Sequence, residues 1–177
     1  MTEKKPTLQE HAMRYGTLMG IFWTLKFVLF PLGMHTPMLL MAFFLLTLIV
    51  PVAGFFFARQ FRDQECEGTI NFSRAFVFTC SMYMFAALFT AVTHYIYFRY
   101  LDNGLIIGTY QDMLNQMSTM SIGTMKESIE QFQQALDVIA SLSPLDITIQ
   151  LITQNFFYCT MIAAPTALIV MRKPQKQ

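Results

Sequence analysis

The side chains best able to do chemistry in this 177-residue chain stand inside its most apolar stretches: Lys26, His94, Gln150, Gln154 and Asn155. Polar groups there are expensive, so each calls for a physical reason. At 1.5 Å of helical rise per residue, Lys26 sits roughly 11 Å and His94 roughly 7 Å inside the nearer boundary of its stretch. On the same scale Gln150 and Gln154 sit roughly 6 and 12 Å inside theirs, with Asn155 at a similar depth. Three different stretches therefore carry polar groups at one level. Convergence of those faces would make a polar vestibule suited to an anionic headgroup, a phosphate or a carboxylate. Lys26 would be its permanent cation and His94 a proton donor. The competing account makes Gln, Asn and His interhelical glue, with Lys26 reaching outward along its stem or pairing with Asp146.

Several constellations are missing from the sequence. It has no HExxH, no GxSxG, no phosphate-cradling glycine loop and no DxD-like carboxylate pair in a loop. His11, His35 and His94 are too scattered to share a metal, and Cys66, Cys80 and Cys159 show no ligand or disulfide spacing. Asp63, Glu65 and Glu67 alternate on a short loop and read as a solvated cluster. No metal, cofactor or nucleic-acid partner is expected, and the chain reads as non-enzymatic. A membrane enzyme using Lys26 and His94 on a lipid phosphate is a lesser alternative.

The stretches that position these groups define the class. Apolar residues make up 54% of the chain and charged residues 13%, against about 25% charged in soluble domains. Apolar runs at about 15–33, 37–58, 75–98 and 147–171 are each long enough to cross the bilayer as a helix, which takes about 20 residues. The fold class expected is all-α: one integral membrane domain, a four-helix bundle with an external amphipathic helix between spans three and four. Lys4, Lys5, Arg14, Arg59, Arg62, Arg74, Arg172, Lys173 and Lys176 fall on one side, and only Arg99 and Lys126 on the other. That bias places both termini in the cytoplasm. Lys26 and the absence of a small-residue cleavage site make the first run an uncleaved anchor.

Residues 105–143 form the external segment. Asp102-Asn-Gly signals a turn. Met113, Met117 and Met120 then recur at helical spacing, followed by Ile122, Met125, Ile129, Phe132, Leu136 and Ile139 stepping 3-4-3-4-3. This predicts one amphipathic helix, or two with a phase slip near Gly123. Its apolar stripe would pack on the outer ends of the spans or on a second copy. The other reading is a membrane-surface helix or lid, and the acidic polar face disfavours generic anionic surfaces. Tyr95, Tyr97, Tyr100 and Tyr110 suit an interfacial aromatic belt. Gly16-xxx-Gly20 allows close helix approach, Trp23 reads as core, Pro51 and Pro165 as kinks. Asn71 or Ser73 would cap the third span.

Arg14-Tyr-Gly-Thr-Leu-Met-Gly, Gly68-Thr-Ile-Asn-Phe-Ser-Arg-Ala-Phe, Tyr95-Ile-Tyr-Phe-Arg-Tyr-Leu-Asp and a last span ending in Arg172-Lys173 occur in this order. With the Met- and Gln-rich external segment, they resemble a family of small bacterial membrane proteins catalogued as domain of unknown function 4199. The resemblance implies four spans and the bacterial inner membrane, and no activity. The functional expectation is a cell-envelope membrane protein that binds an anionic lipid, or a partner in lipid-linked glycan assembly, through the vestibule. Membrane lipids, a second copy or a membrane-protein partner at the external helix are the partners expected. The alternative is a small homo-oligomeric transporter or channel subunit.

Overall fold

A computed structural model describes residues 7–120 and 124–172. Lys4, Lys5, Lys173, Lys176 and the phase slip expected near Gly123 lie outside the described residues. The chain runs α1 (Leu8–Gly33), α2 (Pro37–Glu65), α3 (Phe72–Tyr100), α4 (Leu105–Met120), α5 (Thr124–Ala140) and α6 (Pro144–Val170). Among the described residues three helices, α1 to α3, are long and apolar enough to cross a membrane, and the number rises to four with the bent pair α5–α6 taken as one span. α6 has the length, 27 residues, but Gln150, Gln154 and Asn155 dilute its apolar character. The protein is a multi-pass, all-helical membrane protein.

Local chemistry sets the helix ends. Thr7 with Glu10 opens α1, and Ser143 with Asp146 opens α6, each as a reciprocal capping box. Pro37 and Pro144 start their helices where no backbone donor is needed. At α3 the choice between Asn71 and Ser73 resolves to Asn71, whose side-chain oxygen accepts from the Arg74 amide at 2.8 Å. Asn71→Ala is expected to cost about 1 kcal/mol and Ser73→Ala far less, as read by thermal unfolding in detergent. After α3, Asn103 and Gly104 take positive φ. The Asp102 carboxylate accepts from the Gly104 and Ile106 amides, which starts α4.

Lipid is as apolar as a leucine side chain, so close packing and small residues must hold the spans together. α3 is the central helix: half of its most apolar window is buried, against 11% for α2. It runs parallel to α1, because Gly16 meets Phe85, Gly20 meets Phe89, and the Thr24 and Thr93 hydroxyls lie 3.2 Å apart. It runs antiparallel to α6, with Cys80 beside Thr160 and Ile70 paired to Arg172. α2 stands on the flank and offers the bundle the narrow stripe Val50, Gly54, Ala58 and Phe61. Pro51 and Pro165 border one apolar groove of about 490 Å³ between α2 and α6.

The end of the bundle carrying the 66–71 loop is tightly closed. Ile70 and Arg172 exchange two backbone hydrogen bonds at 3.1 and 2.9 Å, and the Arg62 guanidinium donates to the Val170 carbonyl at 3.1 Å. Phe61 stacks on Phe78 with centroids 4.0 Å apart. All three members of the acidic trio are exposed, as a solvated cluster would be, and two of them have partners. Glu65 lies 3.3 Å from His11, while Asp63 pairs with Arg59 and Arg62. The Arg62 hydrogen bond to exposed Asp63 holds its carboxyl below the usual range. Cys66, Cys80 and Cys159 are free thiols, and burial pushes the Cys66 thiol up.

At the opposite end the segment between α3 and α6 is two helices. The apolar stripe expected to pack on the spans turns instead toward α4, so that α4 and α5 form a hairpin packing chiefly on each other. The Gln133 amide donates to the Asn115 side-chain oxygen across it. The reason lies in sequence distance: α4 and α5 are consecutive, so their apolar faces meet with little chain between them.

Candidate functional site

A cavity of about 260 Å³ opens among the four long helices in the half nearer the hairpin. α1 supplies Trp23, Lys26, Phe27 and Phe30, a 3-1-3 spacing that lays all four along one helical face. α2 adds Phe43, α3 adds Thr90 and His94 one turn apart, and α6 adds Leu151 and Asn155 one turn apart. Three of the five polar residues singled out by depth, Lys26, His94 and Asn155, are thus brought together.

Gln150 and Gln154 are not. Both are exposed, and the Gln154 amide donates to the Tyr158 hydroxyl at 3.3 Å. Each precedes a lining residue by one position, which turns it about 100° around the helix and off the cavity. The pairing of Lys26 with Asp146 also falls away, because that carboxylate accepts from the Ser143 amide and hydroxyl in the cap.

Lys26 is half-buried, with its ammonium 5.2 Å from the Phe43 ring centroid and 6.0 Å from that of Trp23. Such faces attract a cation without neutralising it. No carboxylate lies within ion-pair distance of Lys26 among the described residues. His94 and Trp23 are each 7% exposed, and His94 Nδ1 and Trp23 Nε1 have no hydrogen-bond partner. Buried polar atoms ordinarily have one, and both of these orphans belong to residues that line the cavity. The Thr90 hydroxyl is already spent on the Ala86 carbonyl at 2.8 Å.

Packing behind the wall fixes these groups. Phe27 meets the His94 ring at 4.4 Å, edge to face. Tyr83, fully buried, stacks behind Trp23 at 6.0 Å and donates through its hydroxyl to the Val50 carbonyl at 3.4 Å. Among the described residues no group of three or more His, Cys, Asp and Glu is placed to hold a metal.

A family model described as a protein of unknown function (DUF4199) matches residues 14–172. The chain belongs to the DUF4199 family. Neither a curated protein nor a solved structure matches it. The matched region of this DUF4199 chain contains every residue of the cavity wall. Depth reasoning missed Trp23, which read as core, and the apolar lining of Phe27, Phe30, Phe43 and Leu151. The signal for two of these was available: Trp23 and Phe30 lie three before and four after Lys26, on its own face. Phe43 and Leu151 come from other helices, and nothing local marks them.

Proposed function

We propose that this DUF4199 protein is a non-enzymatic cell-envelope membrane protein that binds an anionic amphiphile in the cavity between its spans. One observation carries the reading. Lys26, the only Lys or Arg within the four apolar runs, lines a cavity beside Trp23 and His94, each with an unpartnered ring nitrogen, and has no carboxylate within ion-pair distance among the described residues. A phosphate or carboxylate there accepts from the Lys26 ammonium, with the Trp23 and His94 ring nitrogens and the Asn155 amide as further polar partners. Hydrogen bonds of that charged kind are short and about twice as strong as neutral ones. Phe27, Phe30, Phe43 and Leu151 suit an apolar chain beside the headgroup.

The volume bounds the ligand. At about 30 Å³ per water, the cavity holds the equivalent of some eight or nine waters. That is room for one anionic centre and a few further atoms, with the rest of the molecule in lipid. A glycerophospholipid and a polyprenyl phosphate share this chemistry, and the second would place the protein in lipid-linked glycan assembly at the bacterial inner membrane. Buried Trp23 and Tyr83 wall the cavity off from the closed loop end, which supports binding over passage.

Native mass spectrometry of the protein extracted with its own lipids tests the reading, wild type beside Lys26→Met. A bound anionic lipid is expected on the wild type and should fall by at least tenfold in Lys26→Met, since a charge-assisted hydrogen bond contributes about 1.5–3 kcal/mol. Gln154→Ala should retain it. The retained mass separates phospholipid from polyprenyl phosphate. Equal retention by wild type and Lys26→Met, or no retained lipid, would overturn the proposal.

A further inference from the structure

The α4–α5 hairpin is the largest feature that the cavity leaves unused, and the inference drawn from it stands independently of the ligand reading. Between the helices runs an apolar cleft of about 530 Å³, lined on one side by Tyr110, Met113 and Met117 and on the other by Ile129, Phe132 and Ile139. Folding the hairpin buries Ile129 but leaves Met113 55% and Phe132 65% exposed. Two helices cannot cover both faces of such a cleft, and the spans do not cover it either.

We infer that the hairpin lies on the membrane and seats this cleft on the surface of the same leaflet, with lipid chains filling it. Three observations favour lipid over a protein occupant. α5 leaves α6 through a bend of 117°, so with α6 along the membrane normal α5 lies within about 30° of the membrane plane. The base of the hairpin is continuous with a lipid-facing surface: Leu105 of α4 shares an apolar groove with Val28, Leu32 and Ile96 of the spans and with Leu101 just after α3. Exposed Tyr95, Tyr100 and Tyr110 flank that junction, and amphipathic rings of this kind settle at headgroup depth.

Charge sets the kind of lipid. Asp112, Glu127, Glu130 and Asp137 outnumber Lys126 on the hairpin, so it is repelled by an anionic surface. A second copy docked on the same face would bring like charge against like. The partner is therefore a leaflet of zwitterionic or neutral lipid, met by flexible methionines that adapt to irregular apolar surroundings.

Photolabelling of the wild-type protein in nanodiscs tests this directly, using phosphatidylcholine that carries a diazirine on its acyl chain. Adducts are expected on Met113, Met117 and Phe132, as well as on Leu48 and Phe56 of the lipid-facing α2. Glu130 and Asp137 should stay unlabelled. The hairpin pattern should persist in Lys26→Met, which separates it from the cavity reading. In phosphatidylglycerol nanodiscs, hairpin adducts should fall severalfold relative to those on α2. Adducts confined to the spans would overturn the inference and mean that water, a second copy or another protein covers the cleft. Hairpin labelling that rises in phosphatidylglycerol would overturn its charge argument.

Discussion

Gly54→Ala is expected to destabilise the bundle by about 3 kcal/mol, the upper part of the range for overpacking a filled core. A Cβ at this position would fall on the Tyr83 hydroxyl and within 2.7 Å of the ring carbon that bears it. Tyr83 cannot retreat: it is fully buried, with Trp23 stacked on one face. Either α2 moves away or the Trp23 wall of the cavity shifts. Tyr83→Phe removes the colliding oxygen, along with a weak 3.4 Å hydrogen bond to Val50. The double variant should therefore recover part of the loss, giving a coupling of about 0.5–3 kcal/mol. Thermal unfolding in detergent, followed by circular dichroism, reads all four members of the cycle. Additive losses would show that Tyr83 does not pin α2.

Gly16→Leu should act at least as strongly, and on the site as well as on the fold. Added carbon at Gly16 meets Phe85 Cβ at 2.6 Å and the Met82 carbonyl oxygen at 2.7 Å. The carbonyl belongs to the backbone of the central helix and cannot swing aside as the end of a side chain can. Even Gly16→Ala should lose about 1–3 kcal/mol. Leucine must lever α1 off α3 along the seam that continues through Gly20 and Thr24. Phe27 lies further along the same seam, against His94, so the cavity should open and retained anionic lipid should be lost together with stability. Gly108→Ala supplies the contrast. Nothing lies within 4 Å of its added carbon, and alanine in a helix interior gains about 0.5–1 kcal/mol over glycine. A Gly16→Leu variant that melts with the wild type would remove the parallel seam from the account.

The sequence made the spans legible because their signal is local: length, apolarity and the step from one charged block to the next. Gly16-xxx-Gly20 correctly marked a close approach, yet only the structure shows α3 as the helix that approaches. The site was half legible for a related reason. Depth along a helix follows from counting residues, so Lys26, His94 and Asn155 shared a level on paper as they do in space. Rotation about the axis depends on what packs where, and that separates Asn155 from Gln154, its immediate neighbour. Between α3 and α6 both the helical spacing of Met113 and Met117 and the 3-4 stripe of Ile129, Phe132, Leu136 and Ile139 were visible, while the packing of one on the other was not. A periodic face declares that it wants a cover and leaves the cover unnamed.

The clasp at the loop end has a consequence for how the molecule is made. Arg62 reaches the Val170 carbonyl across 108 residues of sequence, and the adjoining Ile70 pairs with Arg172. Neither partner exists until the last span has been synthesised. At about 5–20 residues per second, α2 therefore waits roughly 5–20 s for its clasp. Through that interval α1, α2 and α3 hold together without α6, through the Gly16–Gly20 seam and the Phe61–Phe78 and Tyr83–Val50 contacts, and glycines suit a seam that must form before the bundle is complete. Assembly is thus timed by the ribosome: the lipid-facing walls come early, and the end that seals the bundle comes last.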